Sequence, residues 1–200
     1  PSVALAKRME RAGADAVVAE GCEAGGHSGE ITTMCLVPQV ADAVSIPVIA
    51  AGGIADGRGM AAAMILGAQG VQVGTRFLVA KECTIHQNYK DLVLKAKDTD
   101  SIVTGRSTGH PVRSVKNKFA KNLLEMEKEH VDPQQFEEMS VGSLRKAVVD
   151  GNLDEGSFMC GQIAGLVSKE ESCHDIVREL TNEARHILSN FEVMRGIELE

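Results

Sequence analysis

The sequence predicts an α/β fold: the C-terminal part of a (β/α)8 barrel, with about three strands, followed by a mainly helical appendage. Three observations predict it. A unit of helix, glycine and short apolar strand repeats from residue 3 to residue 77, its strands are apolar without alternation, and the rhythm stops after Ala80. Such strands are typical of parallel sheets covered on both faces, and their alternation with helices indicates βαβ units.

Residues 1–80 are predicted to form the barrel units. Helices are expected over residues 3–12, 35–44 and 56–67, and strands over residues 16–20, 47–54 and 70–77. Gly13 is a natural stop for the first helix, and Asp56 is a plausible N-cap for the third. Pro38 fits best in the first turn of the second helix.

Residues 81–200 are predicted to form the helical appendage, with its last helix packing back on the barrel. Helices are expected over residues 88–98, 119–130, 133–139, 143–149 and 168–191, and a strand over residues 101–105. Ser168 and Glu171 have capping-box spacing, which places the start of the last helix at Ser168.

Three parallel strands alone would leave bare sheet edges. A complete (β/α)8 barrel usually takes about 250 residues. We therefore expect the chain to be the C-terminal part of a longer protein, with about five barrel strands upstream.

Composition and charge argue against several classes of partner. The net charge of −7 argues against nucleic acid. No apolar run approaches the roughly 18–20 residues that span a bilayer, and no signal-peptide pattern is present, so we expect a cytoplasmic protein with no membrane contact. The five cysteines are irregularly spaced, which favours reduced thiols. A zinc site at Cys173 and His174 has no supporting spacing, so no metal is predicted.

Glycines at consecutive strand ends predict a phosphate site. Gly52 and Gly53 stand near the end of the second predicted strand, and Gly74 and Thr75 near the end of the third. Ligands of α/β folds bind at the C-terminal ends of strands, and clustered backbone N–H groups hold anions. The alternative is that these glycines only permit tight turns. Arg76, the next residue, is expected either at the site or in an ion pair at the bottom of the barrel or on the surface.

His27 is the first candidate for chemistry. It follows Gly25 and Gly26 at the end of the first predicted strand. A histidine there can donate a hydrogen bond to a developing oxyanion or transfer a proton, and the neighbouring glycines leave access for a ligand. The alternative is a loop histidine that caps a carbonyl group. The other five histidines are expected to be solvated. Among them, His110 in "TGHPVR" is the one to watch as a further candidate.

Together, "EAGGHSG", "IPVIAAGGIADG", "GVQVGTRF" and "GQIAGLVSKEE" resemble the FMN-dependent nitronate monooxygenase and enoyl reductase family. The resemblance covers nearly the whole chain. It is greatest to flavin-dependent enoyl-[acyl-carrier-protein] reductases of the FabK type, favoured by the segment "GSFMCGQIAGLVSKEE". Glu20 stands where nitronate enzymes often carry Gln, which again favours the reductase.

The resemblance implies a TIM barrel that holds FMN, with His27 as the catalytic histidine. The cofactor-binding residues it implies are Glu20, Gly25, Gly26, Gly52, Gly53, Gln72, Gly74 and Thr75. NADH or NADPH would be the reductant, and a trans-2-enoyl thioester on acyl carrier protein the substrate. The remaining flavin contacts would lie upstream, so this chain would lack part of the active site. A homodimer is one assembly compatible with the resemblance.

Residues 101–124 contain no Asp or Glu and are a candidate docking or NAD(P)H-binding face. Their basic residues are Arg106, Arg113, Lys116, Lys118 and Lys121. The alternative is an ordinary solvated helix end.

Three other functions stay open. Nitronate monooxygenase would use the same FMN with O₂ and His27 as base. A barrel of the IMP dehydrogenase type needs a nucleophilic cysteine, for which Cys22 is the nearest candidate. A flavin- or phosphate-binding module would have no activity.

Overall fold

Two small sheets organise residues 1–190, the part of the chain that the computed structural model describes. The helices are α1 (Val3–Arg11), α2 (Thr33–Ala41), α3 (Gly57–Ile65), α4 (Thr75–Leu78), α5 (Gln87–Lys95), α6 (Lys118–Lys128), α7 (Pro133–Ser140), α8 (Ser143–Val148) and α9 (Cys173–Ser189). The strands are β1 (Val17–Glu20), β2 (Gly26–His27), β3 (Val48–Ala51), β4 (Gly70–Gln72), β5 (Ser101–Thr104) and β6 (Val112–Val115). A 3₁₀ turn covers Gln162–Leu166.

The first sheet is parallel, with strand order β1-β3-β4. Val17 pairs with Val48, and Ile49 pairs with Gly70. Helices connect consecutive strands, as parallel pairing requires. The sheet packs against fully buried side chains of α2, including Leu36 and Val37. The α/β fold and the three parallel strands therefore lie where the repeat predicts them.

The second and third predicted strands are both too long. β3 ends at Ala51, not at Ile54, because Gly52 and Gly53 turn the chain with φ of 85° and 72°. β4 ends at Gln72, and Thr75–Leu78 forms one helical turn. The Gly74 carbonyl accepts hydrogen bonds from the N–H groups of Phe77, at 2.8 Å, and Leu78, at 3.3 Å. These local bonds hold the chain in a turn, so the apolar run beyond Gln72 does not continue the sheet.

The prediction for Pro38 is wrong. α2 begins at Thr33, so Pro38 lies inside the helix rather than in its first turn. Proline removes one backbone donor from a helix, yet Leu36, Val37 and Val40 are almost completely buried around it. Burial of this apolar face offsets the missing hydrogen bond.

The second sheet is antiparallel, with strand order β2-β6-β5. β5 falls within the predicted strand, but β2 and β6 were not predicted. β2 has only two residues, and the sequence "VRSV" of β6 shows no apolar alternation. His27 pairs with Val112. The loop after β1 is thus bound to the second half of the chain.

Helix α9 packs on α3, although it does not start where predicted. Ser172, not Ser168, caps α9, and its side chain accepts a hydrogen bond from the Asp175 N–H. The predicted end at Phe191 lies outside the described residues. The Glu183 carboxylate accepts a hydrogen bond of 2.7 Å from the N–H of Gly57, at the start of α3. α9 thus contacts α3, in the first half of the chain.

A buried ion-pair network adds to this contact. The Arg76 guanidinium, whose side chain is 6% exposed, donates to the carboxylates of Glu171 and Glu179. Lys169 Nζ lies 2.8 Å from Glu171 and 3.0 Å from Glu179. Of the two expectations for Arg76, the structure shows the ion pair, and it is buried.

Among residues 1–190, no helix is long and apolar enough to cross a membrane, and no group of three or more His, Cys, Asp or Glu side chains could hold a metal ion. All five cysteines are free thiols.

Candidate functional site

A cavity of about 220 Å³ lies at the carboxyl ends of β1, β3 and β4. All eight residues predicted to contact the cofactor line it: Glu20, Gly25, Gly26, Gly52, Gly53, Gln72, Gly74 and Thr75. The parallel sheet brings them together because the carboxyl ends of parallel strands meet at one edge. Their binding roles stay predictions.

Several backbone N–H groups at this cavity have no hydrogen-bond acceptor among the described residues. Within residues 1–190, the N–H groups of Gly53, Gly74 and Thr75 have no acceptor. The Thr75 hydroxyl accepts a hydrogen bond of 2.8 Å from the Gly161 N–H, which leaves its own proton free to donate. Four donors on two adjacent loops suit an anion.

A side chain would meet different surroundings at the different glycines of the cavity. No atom lies within 4 Å of the position that a Cβ would occupy at Gly74. A Cβ at Gly25, in contrast, would lie 2.5 Å from the backbone carbon of Cys160. Gly74 therefore leaves open space beside the free donors, whereas Gly25 is required by packing within the protein.

Glu23 is a lining residue that sequence reasoning missed. Its carboxylate accepts hydrogen bonds of 2.9 and 3.0 Å from the Thr33 N–H, and one of 3.0 Å from the Thr33 hydroxyl. Glu23 thus fixes the loop after β1 to the start of α2. Glu23 lies four residues before His27 in "EAGGHSG", and this proximity could have marked it as a residue of the site.

The second half of the chain supplies another wall, which sequence reasoning also missed. Met159, Cys160, Gly161 and Ile163 line the cavity. The Tyr89 hydroxyl donates to the Met159 carbonyl at 2.6 Å, and the Gln162 N–H donates to the Glu23 carbonyl at 2.9 Å. These residues belong to "GSFMCGQIAGLVSKEE", which carried the resemblance but was not placed at the site.

Neither cysteine near the cavity is an activated nucleophile. Burial raises the pKa of the Cys160 thiol to about 12. Burial, followed by the nearby Glu23 carboxylate, also raises the pKa of Cys22. A raised pKa keeps a thiol protonated, and the thiolate is the nucleophilic form.

Arg113 does not belong to the predicted basic face. Its side chain is buried, and its Nε and Nη2 atoms donate to the Cys22 carbonyl at 3.1 and 3.0 Å. Arg113 therefore anchors the loop that leads to His27. The other four basic residues of the segment are exposed: Arg106, Lys116, Lys118 and Lys121.

His27 is exposed on β2 and lies outside the lining of the cavity just described. It lines two other cavities, of about 370 and 200 Å³, and His110 lines both of them as well. Met159 lines the smaller of these and also the cavity at the strand ends. The structure thus places His27 next to the predicted cofactor cavity, on the other side of Met159.

Comparisons with known proteins agree with this arrangement. The model of the nitronate monooxygenase family matches residues 1–183. A probable nitronate monooxygenase from Staphylococcus saprophyticus is 38% identical over 94% of this chain and 56% of its own length. FabK from Thermotoga maritima is 52% identical, with a TM-score of 0.92, over 96% of this chain and 61% of that one.

Nitroalkane oxidase from Streptomyces ansochromogenes is 29% identical, with a TM-score of 0.79, over 95% of this chain and 57% of that one. The chain thus spans little more than half the length of these relatives.

Proposed function

The chain belongs to the nitronate monooxygenase family, and from this membership we propose that it is part of an FMN-dependent enoyl-[acyl-carrier-protein] reductase. The proposed reaction reduces trans-2-enoyl thioesters to acyl thioesters with NADH or NADPH, in fatty-acid synthesis. The parallel sheet is then the C-terminal part of a TIM barrel, and the cavity at its strand ends is the flavin site.

The residues at that cavity fit the phosphate group of FMN. The free N–H groups of Gly53, Gly74 and Thr75, with the Thr75 hydroxyl, offer hydrogen bonds to phosphate oxygens. The open space at Gly74 allows the phosphate to approach the backbone. The Glu23 carboxylate also lines this cavity, and hydrogen bonds from the Thr33 N–H and hydroxyl offset part of its negative charge.

FMN, when bound, supplies the hydride chemistry of the reaction. His27 acts on the substrate. Negative charge develops on the thioester oxygen as the β-carbon gains hydride, and a hydrogen bond from His27 stabilises that oxygen. His27 is exposed, and its ring has no hydrogen-bond partner within residues 1–190, so it is free to donate. Met159, between the two cavities, is the residue that an enoyl chain would pass.

The observation that carries the reductase over the nitronate reaction is the 52% identity to FabK, against 29% to nitroalkane oxidase. Glu20 at the cavity supports the same choice. Nitronate oxidation is the second candidate, because the matching family model and the curated relatives bear that name. The raised pKa values of Cys22 and Cys160 argue against the IMP dehydrogenase type of chemistry.

Steady-state kinetics separate the two candidates. The protein in its full natural length is incubated without oxygen with NAD(P)H and crotonyl thioester, and in parallel with O₂ and an alkyl nitronate. If the protein is an enoyl reductase, NAD(P)H should be oxidised only when the thioester is present. O₂ consumption with nitronate, and no reaction with the thioester, would identify a nitronate monooxygenase. A bound flavin with neither activity would indicate a binding module.

Gly74→Ala should weaken FMN binding about 10- to 100-fold, the effect of losing one charge-assisted hydrogen bond. The new methyl group would occupy space that the phosphate needs. The apoprotein should keep its stability, since nothing in the protein meets the methyl group. Fluorescence titration with FMN measures the affinity, and urea unfolding measures the stability.

Gly25→Ala is the matched comparison. Its methyl group would collide with Cys160, so overpacking should reduce stability by about 1–3 kcal/mol. If Gly74→Ala bound FMN with unchanged affinity, the phosphate group would not bind at this site.

Acyl carrier proteins are acidic, and we propose that Lys116, Lys118 and Lys121 help to dock one. All three are exposed. Phe119 and Leu123 of helix α6 are buried, so the lysines of that helix lie on its solvent side. Reversing Lys116 and Lys118 to Glu should raise the KM for the carrier-bound substrate roughly 3- to 10-fold. The KM for crotonyl-pantetheine, which has no carrier protein, should stay the same.

Lys95→Glu with Lys97→Glu is the charge-matched control, because both residues are exposed and lie outside the basic segment. An equal rise in KM for both double variants would mean that only net charge matters.

A further inference from the structure

The two cavities beside His27 contain a second histidine. His27 and His110 are both exposed, and both line the cavity of about 370 Å³ and that of about 200 Å³. Neither ring has a hydrogen-bond partner within residues 1–190. The two imidazole rings therefore line the same cavities, although 80 residues separate "GGH" from "TGHPVR".

The strand register explains why they meet. His27 pairs with Val112 in the antiparallel sheet, and the Ser28 N–H continues the pairing to the Pro111 carbonyl at 3.4 Å. β6 begins at Val112, so His110 lies just before the strand, next to the pair formed by His27 and Val112. This pairing brings both histidines to the same two cavities.

A tight turn holds His110 in place. The His110 N–H donates to the Gly105 carbonyl at 3.2 Å, and the Thr108 hydroxyl donates to the same carbonyl at 2.9 Å. Gly105 has φ of 78°, and a Cβ there would lie 2.5 Å from the His110 carbonyl oxygen. The backbone of His110 is thus fixed at both ends of the turn, while its side chain stays unengaged.

The proposed reduction makes two separate demands on the protein. The thioester oxygen needs a hydrogen bond while the hydride arrives, and the α-carbon then needs a proton. These are different atoms, and one imidazole N–H engaged with the oxygen cannot also protonate the carbon. Besides the two histidines, these cavities are lined by the Glu137 carboxyl group and by hydroxyl groups, which are weak acids. Ser140 and Ser143 already donate to backbone carbonyls.

We propose that His110 is a second catalytic residue: it protonates the α-carbon while His27 holds the thioester oxygen. This inference rests on the proposed function. The β-carbon gains a hydride that originates from NAD(P)H, and the π electrons of the C=C bond move into an enolate. The enolate α-carbon forms its C–H bond with a proton from the His110 imidazolium. The neutral imidazole regains a proton from water, which exposure of the ring permits. NAD(P)H is oxidised and the enoyl thioester is reduced.

The test uses the protein in its full natural length, with crotonyl thioester and NAD(P)H. His110→Gln should lower kcat about 100-fold, the lower limit for loss of a general acid, with KM and flavin absorbance unchanged. Imidazole added to His110→Ala should restore part of the rate, because it can enter from solvent. His174→Gln, at an exposed histidine outside both cavities, should behave as the wild type.

Three results would overturn the assignment. If kcat of His110→Gln stays within twofold of the wild type while His27→Ala is inactive, His110 has no role and the proposed function stands. Loss of flavin absorbance together with failure of imidazole to restore His110→Ala would indicate a structural role only. A wild-type protein that does not reduce the thioester refutes the proposed function, and the role of His110 with it.

Discussion

Replacing His27 by alanine is expected to lower kcat for enoyl thioester reduction about 100- to 1000-fold, the usual loss when one oxyanion donor is removed. FMN should stay bound, because His27 lies outside the cavity formed at the strand ends. The fold should also persist, since the exposed ring makes no hydrogen bond within residues 1–190. Stopped-flow kinetics and the flavin spectrum of the same sample measure both effects.

The conservative variant His27→Gln keeps an N–H donor and should retain more activity than alanine. His174→Ala is the control for loss of an exposed histidine. Full turnover by His27→Ala would refute the role given to His27. Loss of flavin from that variant would instead place His27 in cofactor binding.

Arg76→Met should reduce the free energy of unfolding by about 3 kcal/mol, the lower end of the range for breaking a buried ion pair. The variant leaves Glu171, with 17% of its side chain exposed, and Glu179, with 36%, without their buried partner. Lys169 remains close to both carboxylates, which places the expected loss at the lower end. Urea unfolding at neutral pH measures the change.

Lys146→Met is the matched control. Lys146 pairs with Glu155 at 2.8 Å, but both side chains are well exposed, and such pairs contribute little. We expect no measurable change in its unfolding midpoint. Equal loss in both variants would mean that burial of Arg76 does not matter.

The same network predicts the pH dependence. Burial disfavours the charged form of Glu171, but hydrogen bonds from Lys169 and Arg76 outweigh it and hold its pKa below the ordinary value of 4.5. A lowered pKa contributes stability that is fully present above the ordinary value and is lost as pH falls through the folded-state pKa. The wild type should therefore lose more stability on acidification below pH 4.5 than Arg76→Met does.

The parallel sheet and part of its cavity could be predicted from sequence because their signals are local. Short apolar strands with glycines near their ends placed Gly52, Gly53, Gly74 and Thr75 at one edge of the sheet, whereas the other four predicted lining residues came from the family resemblance. The same kind of local signal overextended the third strand past Gln72, because an apolar run does not show that Gly74 accepts the bonds of a turn.

The rest of the site depends on contacts between distant segments. Gly161 reaches Thr75 across 86 residues, and Arg113 reaches Cys22 across 91. Hydrophobic periodicity reports burial but not the partner, so Arg113 seemed to belong to a basic surface. For the same reason, the strand register that brings His110 beside His27 could not be derived from either motif alone.

The flavin spectrum of the protein in its full natural length, recorded without oxygen, tests the central claim most directly. NAD(P)H should bleach a visible flavin band, and crotonyl thioester added afterwards should restore it within seconds. A bleached band that the thioester leaves unchanged, or the absence of a flavin band before any addition, would contradict the assignment as a flavin-dependent enoyl reductase.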